Sequence, residues 1–190
     1  NIIIVRRNGT ANFKFKYVFF RGNNIVSEYN TGNSTIVGQA NAAGAMSVGA
    51  VLYSNTPAYG VSIPTVASFS SRGGTTVINN VTRKKPDFTA PNGGNTTVNL
   101  GGPNIDGDGF PNFFGTSAAA PHAAGVAALL LEGKKKYSNT TLSPDSVRII
   151  LQNTAIDMGA PGFDDSTGYG FVQANKDIRS VETTKPEKIR

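Results

Sequence analysis

Gly115-Thr116-Ser117 is followed by Pro121 and His122, and from there to Leu131 by almost nothing but alanine, glycine, valine and leucine. A serine in this setting has two readings. A glycine lets the chain turn sharply, and a serine at the start of a helix lies among unpaired backbone N–H groups at the positive end of the helix dipole. That setting exposes a nucleophilic hydroxyl and offers the serine's own N–H to an oxyanion. The other reading is an N-cap, in which the hydroxyl closes the first turn of the helix and does no chemistry. Pro121 fits either reading, since proline is tolerated in a first helical turn.

A serine hydroxyl is a poor nucleophile without a base. His122 is the chain's one histidine. It follows Ser117 by five positions. Five residues of helix rotate by about 500°, so the two side chains point about 140° apart. His122 is therefore expected to pack or hydrogen-bond locally and not to reach Ser117.

The elements that must position this serine can be read along the chain. "NIIIVRRNGTANFKFKYVFFRGNN" reads as two strands around an Asn-Gly turn. The small residues Gln39–Met46 suit a short helix or loop, and Ser47–Tyr53 a buried strand. "VASFSSRGG" reads as a short strand ending in a glycine turn. "KKPDFTAPNGG" reads as another, closed by Pro91 and two glycines. "GGPNIDGDGFPNFF" is a turn-rich loop leading to the serine. Ser117–Leu131 is helical and apolar nearly all round, which predicts burial on most sides. Ser143 suits the N-cap of a second helix, with Pro144 at its first position, Val147, Ile150 and Leu151 on its apolar face, and an end near Asn153. "STGYGFVQANKDI" offers a short strand and one or two helical turns. Strands alternating with helices around a buried helix predict an α/β layered fold.

Composition bounds the rest. The chain has 190 residues, 38% hydrophobic and 16% charged, enough for one domain with a sizeable core. The net charge of +6 lies largely in short runs, Arg83-Lys84-Lys85, Lys134-Lys135-Lys136 and the closing KPEKIR. Without aromatic-interleaved basic stripes these do not predict a nucleic-acid partner. The absence of cysteine removes disulfides, thiolate metal sites and thiol catalysis. No apolar run reaches membrane-spanning length. Sequons at Asn8, Asn33, Asn80, Asn95 and Asn139 permit a secretory route without establishing it. The chain starts abruptly in "NIIIV", and it is expected to be a piece of a longer protein.

"GTSAAAPHAAGVAALLL" resembles the active-serine motif of the subtilisin-like proteases, G-T-S-x-x-x-P-H-x-x-G, through Gly115, Thr116, Ser117, Pro121, His122 and Gly125. Further segments resemble that family in its order: "AMSVGAVLYS", "ASFSSRG", "KPDFTAPNG", "LSPDSVRIILQNTAIDMG" and "GYGFVQANKDI". The resemblance covers residues 36–180. It implies a mostly parallel sheet with a buried central serine helix, hydrolysis of peptide bonds in a polypeptide substrate, and Ser117 as nucleophile with its backbone N–H as an oxyanion donor. It also implies a secreted or cell-surface location and no cofactor for the chemistry. On this reading residues 1–35 are part of an insertion, 36–180 the carboxy-terminal half of the catalytic domain, and 181–190 a charged tail.

The sequence departs from the family where the triad should be completed. Family order is Asp, His, Ser, and neither D-[ST]-G nor H-G-T-x-V-A-G occurs ahead of Ser117. Asp165-Ser166-Thr167-Gly168 carries an extra residue, follows the serine, and reads as a turn. The implied partner is a missing amino-terminal half bearing Asp and His, and the chain alone is expected to be inactive. Asn23 is the candidate second oxyanion donor, although Phe19-Phe20-Arg21 replaces the usual small residues before it. Gly38, Phe69, Ser70 and Ser71, with Gly115 and Thr116, are the candidate substrate-binding residues.

Structural calcium is the one metal to consider. Asp106-Gly107-Asp108-Gly109 starts like a calcium loop, but Phe110 stands where the next oxygen ligand should be. Asp157, Asp164 and Asp165 form a second acidic group, and solvated turns are the expectation for both. Two other functions compete: a sedolisin-type peptidase, which pairs its serine with Glu and Asp, and a pseudoprotease or adhesion module that keeps only the fold. The intact Gly115-Thr116-Ser117 speaks against the last.

Overall fold

The computed structural model describes residues 5–11, 32–74, 81–99 and 101–182. Its centre is a parallel pair of strands, β1 (Val48–Leu52) and β2 (Phe88–Asn92), in register from Val48 opposite Phe88 to Leu52 opposite Asn92. β1 lies within the expected Ser47–Tyr53. β2 runs through Pro91 to Asn92 instead of stopping at the proline, which faces Val51 in the ladder.

The outer edges of the pair are held in unlike ways. On the β2 side, Thr89 donates its N–H to Gly170 O at 2.8 Å and accepts that of Val172 at 3.0 Å, so the predicted strand in "STGYGFVQANKDI" is reduced to single bridges at Phe171. On the β1 side, Ala67 N–H reaches Ala50 O at 2.7 Å, but Ala50 N–H donates to the side chain of Ser70 at 3.0 Å. A side chain thus takes the place of a ladder partner, and "VASFSSRGG" forms one bridge, at Val66, and a turn where a strand was expected. The predicted helix or loop after Ile36 is a 3-10 turn, Gly38–Asn41. Of the two amino-terminal strands, residues 5–11 form none, and the remainder lies outside the described residues.

Helix α1 (Thr116–Ser138) follows β2 after a long loop and lies across the pair. It runs seven residues beyond the expected Leu131, taking in the Lys134–Lys136 run. Lysine has good helix propensity, and Lys135 and Lys136 in the last turn suit the negative end of the dipole. Asn139, at φ 50°, ends the helix by donating its N–H to Lys135 O at 2.9 Å. Helix α2 (Pro144–Thr154) starts as expected: Ser143 is the N-cap, and its hydroxyl accepts the Ser146 N–H at 3.1 Å. Helix α3 (Ala174–Glu182) packs on α1 at Gly133, where a Cβ would stand 3.4 Å from Val181 Cγ2. Val181 is buried, so the expected 181–190 tail begins inside a packed helix.

The core joins Ala50, Phe88 and Ala90 of the sheet to Ala119, Ala123 and Leu130 of α1, with Val147, Leu151 and Val181 beyond. Complete burial of a side chain such as Leu130 contributes about 1.5–3 kcal/mol. Burial of α1 on most sides is not observed. Ala118, Ala119, Ala123, Leu130 and Gly133 are buried, while Ala120, Pro121, Ala124 and Ala128 are exposed, and Leu129 is 48% exposed. The strand pair and α3 pack on α1, while the row through Ala120, Ala124 and Ala128 has no cover among the described residues. No described helix is long and apolar enough to cross a membrane.

Candidate active site

The site is built at the carboxy-terminal end of β2. The chain leaves the strand at Asn92, makes an excursion through residues 93–114, and returns beside the point it left. Gly93 N–H bonds Phe113 O at 2.9 Å, Phe113 N–H bonds Gly94 O at 2.9 Å, and Thr96 N–H bonds Pro111 O at 2.9 Å. Asn112, 2% exposed, pins the interior of the loop. Its Nδ2 donates to Gly93 O at 3.0 Å and to Asn95 Oδ1 at 2.8 Å, and its Oδ1 accepts Ile105 N–H at 2.8 Å.

The returning chain is caught at Gly115, whose N–H donates to Asn92 Oδ1 at 3.2 Å. Gly115 has φ 112° and ψ 169°, a backbone that residues with a Cβ rarely adopt, and it is itself the N-cap of α1. Its carbonyl accepts the N–H groups of Ala118 at 3.0 Å and Ala119 at 3.2 Å.

This settles one of the two readings of Ser117. The cap is Gly115, no side chain caps the helix, and Ser117 is exposed within the first turn. Among the described residues, the backbone N–H groups of Thr116 and Ser117 have no acceptor. The site therefore offers a free hydroxyl beside free N–H donors at the positive end of a helix of 23 residues.

His122 is turned away, as its spacing requires. Its Nδ1 lies 2.7 Å from Ala118 O, one turn back on the same helix. A carbonyl can only accept, so Nδ1 carries the proton in this bond.

Gly38, Phe69, Ser70 and Ser71 sit on segments apart in sequence from the serine helix. Gly38 opens the exposed 3-10 turn at φ 59°. Ser70 is buried and its Oγ accepts the Ala50 N–H, while Phe69 and Ser71 are exposed. These residues flank β1, whereas Gly115, Thr116 and Ser117 follow β2. Asn23 lies outside the described residues. A cavity of about 670 Å³ is lined by Arg72, Met158, Asp164 and Asp165 among others, and by none of the candidate nucleophile, oxyanion or substrate-binding residues.

Asp106, Asp108, Asp157 and Asp164 accept hydrogen bonds from protein donors. Asp106 accepts Tyr53 Oη at 2.8 Å and Asn112 Nδ2 at 3.3 Å, and Asp108 accepts Asn95 Nδ2 and Phe110 N–H. The Tyr53 hydrogen bond holds the Asp106 carboxyl below its ordinary range and raises the Tyr53 phenol. Asp164 Oδ1 accepts Ser166 N–H at 2.7 Å and Thr167 N–H at 3.0 Å, which makes the Asp165–Gly168 stretch an ordinary turn.

Asn92, which holds the Gly115 N–H ahead of Ser117, is the residue of this turn that sequence reading missed. Its signal was present: it stands between Pro91 and Gly93, where the family pattern has A-P-G uninterrupted.

Fold and site together define a parallel α/β protein that presents an unengaged serine at the amino end of the helix following its sheet. The subtilase family model matches residues 5–170. The chain belongs to the subtilase family. The match begins inside the segment 1–35. The chain is 35% identical over 128 residues to fervidolysin of Fervidobacterium pennivorans, covering 63% of this chain and 17% of that protein. It is 40% identical over 99 residues to the serine protease AprX of Bacillus subtilis strain 168, covering 47% and 20%. Among solved structures it is similar to the CspB protease of Clostridium perfringens, with a TM-score of 0.60 and 25% identity over 81% of this chain and 30% of that one. It is also similar to a lanthipeptide protease, with a TM-score of 0.51 and 27% identity over 70% and 41%. The chain thus spans a fifth or less of the length of these two curated relatives.

Proposed function

We propose that Ser117 is the nucleophile of a serine endopeptidase. One observation carries this: an exposed hydroxyl free of any capping role, at a helix N-terminus whose Thr116 and Ser117 N–H groups have no acceptor among the described residues. Ser117 Oγ attacks the scissile carbonyl while a base removes its proton. The Ser117 N–H receives the developing oxyanion, the amine leaves with a proton, and water then hydrolyses the ester on Ser117. Asn23 is the candidate second oxyanion donor. Gly38, Ser70, Ser71, Gly115 and Thr116 are the candidate contacts to a polypeptide substrate.

No second histidine that could serve as the base occurs in these 190 residues. The one histidine gives its Nδ1–H to Ala118 O and faces away. The reading therefore requires an Asp and a His supplied from outside this chain, and the chain alone should hydrolyse peptides negligibly. The subtilase match favours that histidine base over the Glu–Asp pair of sedolisins. No cofactor enters these steps. A place outside the cell is part of the proposal, supported by relatives such as the extracellular serine protease of Serratia marcescens, 41% identical over 64 residues.

Replacing Ser117 by alanine tests the reading. Peptidase activity of the protein purified from its source should fall about 10⁴-fold or more, with the fold intact. Activity that survives the change would refute it.

A further inference from the structure

A second site lies at the opposite end of β2 from Ser117. Residues 83–87, which lead into the strand, and helix α2 enclose a cavity of about 250 Å³ whose charged and amide lining is Arg83, Lys84, Lys85, Asp87, Arg148 and Gln152. Four of these six are cations and one is a carboxylate.

That carboxylate is fully occupied. Asp87 is 3% exposed. Its Oδ2 accepts Lys85 Nζ at 2.8 Å, Ser47 N–H at 2.8 Å and Ser47 Oγ at 3.3 Å, and its Oδ1 accepts Gln152 Nε2 at 3.4 Å. Arg148 Nε lies 3.3 Å from Oδ1 but out of line for a hydrogen bond, so its N–H is a buried donor with no aligned acceptor among the described residues. The other carboxylate near Arg148 is Asp145, whose side chain is 80% exposed and therefore screened by solvent.

The two remaining cations have no carboxylate among the described residues. Arg83 donates to the carbonyl of Asn41, and Lys84 Nζ rests over the rings of Phe163 and Tyr169, 5.3 and 5.8 Å from their centroids. Backbone carbonyls fix the others: Lys85 is tied to Ala45 O, and Arg148 to Gly44 O at 2.8 Å. The result is a preorganised set of donors with an excess of positive charge, partly withdrawn from water. The excess charge lies toward the rim, on half-buried Arg83 and exposed Lys84, and an oxyanion that accepts several of these donors at once would partner it.

We propose that this cavity binds a small dianionic oxyanion from solution, phosphate or sulfate, independently of the chemistry at Ser117. Lys84, exposed at the rim, and Arg83, half-buried, supply the charge that Asp87 does not neutralise.

The test is titration of the full chain with inorganic phosphate, sulfate and chloride at matched ionic strength, read by phosphate ³¹P line broadening and by the thermal midpoint. Saturable broadening is expected, with a midpoint that rises in phosphate and sulfate and not in chloride. The double change Arg83→Gln with Lys84→Gln should weaken phosphate binding about tenfold or more. Should the double variant fail to fold, Lys84→Gln alone, at an exposed position, serves in the same comparison. Equal effects of chloride and phosphate, or unchanged phosphate affinity in the folded variant, would overturn the proposal. The readout needs no peptidase activity, so its outcome is separate from that of the Ser117 reading.

Discussion

The side-chain oxygen of Asn92, the last residue of β2, accepts the backbone N–H of Gly115, the residue that caps the serine helix, at 3.2 Å. A strand end and a helix start, 23 positions apart in sequence, are thereby locked together directly ahead of Ser117. Asn92 is 1% exposed, and its Nδ2 has no partner among the described residues.

Truncation of Asn92 to alanine should leave the Gly115 N–H unsatisfied and loosen the turn that aims Ser117. The expected cost is about 1–3 kcal/mol of stability, with a larger fall in kcat than rise in KM, because the change is in aim and not in substrate contact. Denaturant melts and steady-state kinetics check it. Unchanged kcat would show that the bond does not position the serine.

The Ser117 motif was legible because its residues are neighbours in sequence and the helix they begin is local. The Ser143 cap, with Pro144 at the first helical position, was legible for the same reason. The Asn92–Gly115 bond was not, because it depends on where a loop of more than twenty residues brings the chain back. Nor was the failure of "VASFSSRGG" to form a strand, since that turns on Ser70 Oγ taking the Ala50 N–H. The sequence reads as apolar nearly all round from Ser117 to Leu131. Burial depends on what covers each face, and the exposed row through Ala120, Ala124 and Ala128 has no such cover among the described residues.

His122 should prove dispensable as a base. Replacement by alanine removes its bond to Ala118 O and is expected to change kcat by less than about tenfold, far below the effect of losing a catalytic base. A loss as large as that of Ser117→Ala would reverse the assignment.

Asp177 makes stability fall as pH rises. It is fully buried in α3, with Thr154 Oγ1 donating to its Oδ1 and nothing described paired with Oδ2. Burial raises its pKa to about 6, against the opposing hydrogen bonds from Thr154 and from the Gln173 backbone. The unfolded carboxyl titrates at about 4. The folded state thus holds its proton more tightly, and this group's contribution is most favourable below about pH 4 and declines up to about pH 6. Asp177→Asn should be more stable than the parent above that window, with the difference shrinking toward its acid end. Denaturant midpoints across the range test this, and a difference independent of pH would contradict it.

Leu130, at 0% exposure between the sheet and the outer helices, should be the costliest aliphatic truncation in α1. Leu130→Ala is expected to lose about 2–5 kcal/mol. Leu129→Ala, at a half-exposed position one residue away, should lose much less. Comparable losses at the two positions in denaturant melts would mean that the exposed face of α1 is covered in solution.

The most direct test of Ser117 as nucleophile is fluorophosphonate labelling with peptide mass mapping, on the 190-residue chain alone and on the protein purified from its source. A single adduct on Ser117 in the purified protein, none in its Ser117→Ala variant and none in the chain alone, is the predicted result. An adduct elsewhere, labelling that survives Ser117→Ala, or rapid labelling of the chain alone would contradict a catalytic serine whose base lies outside these residues.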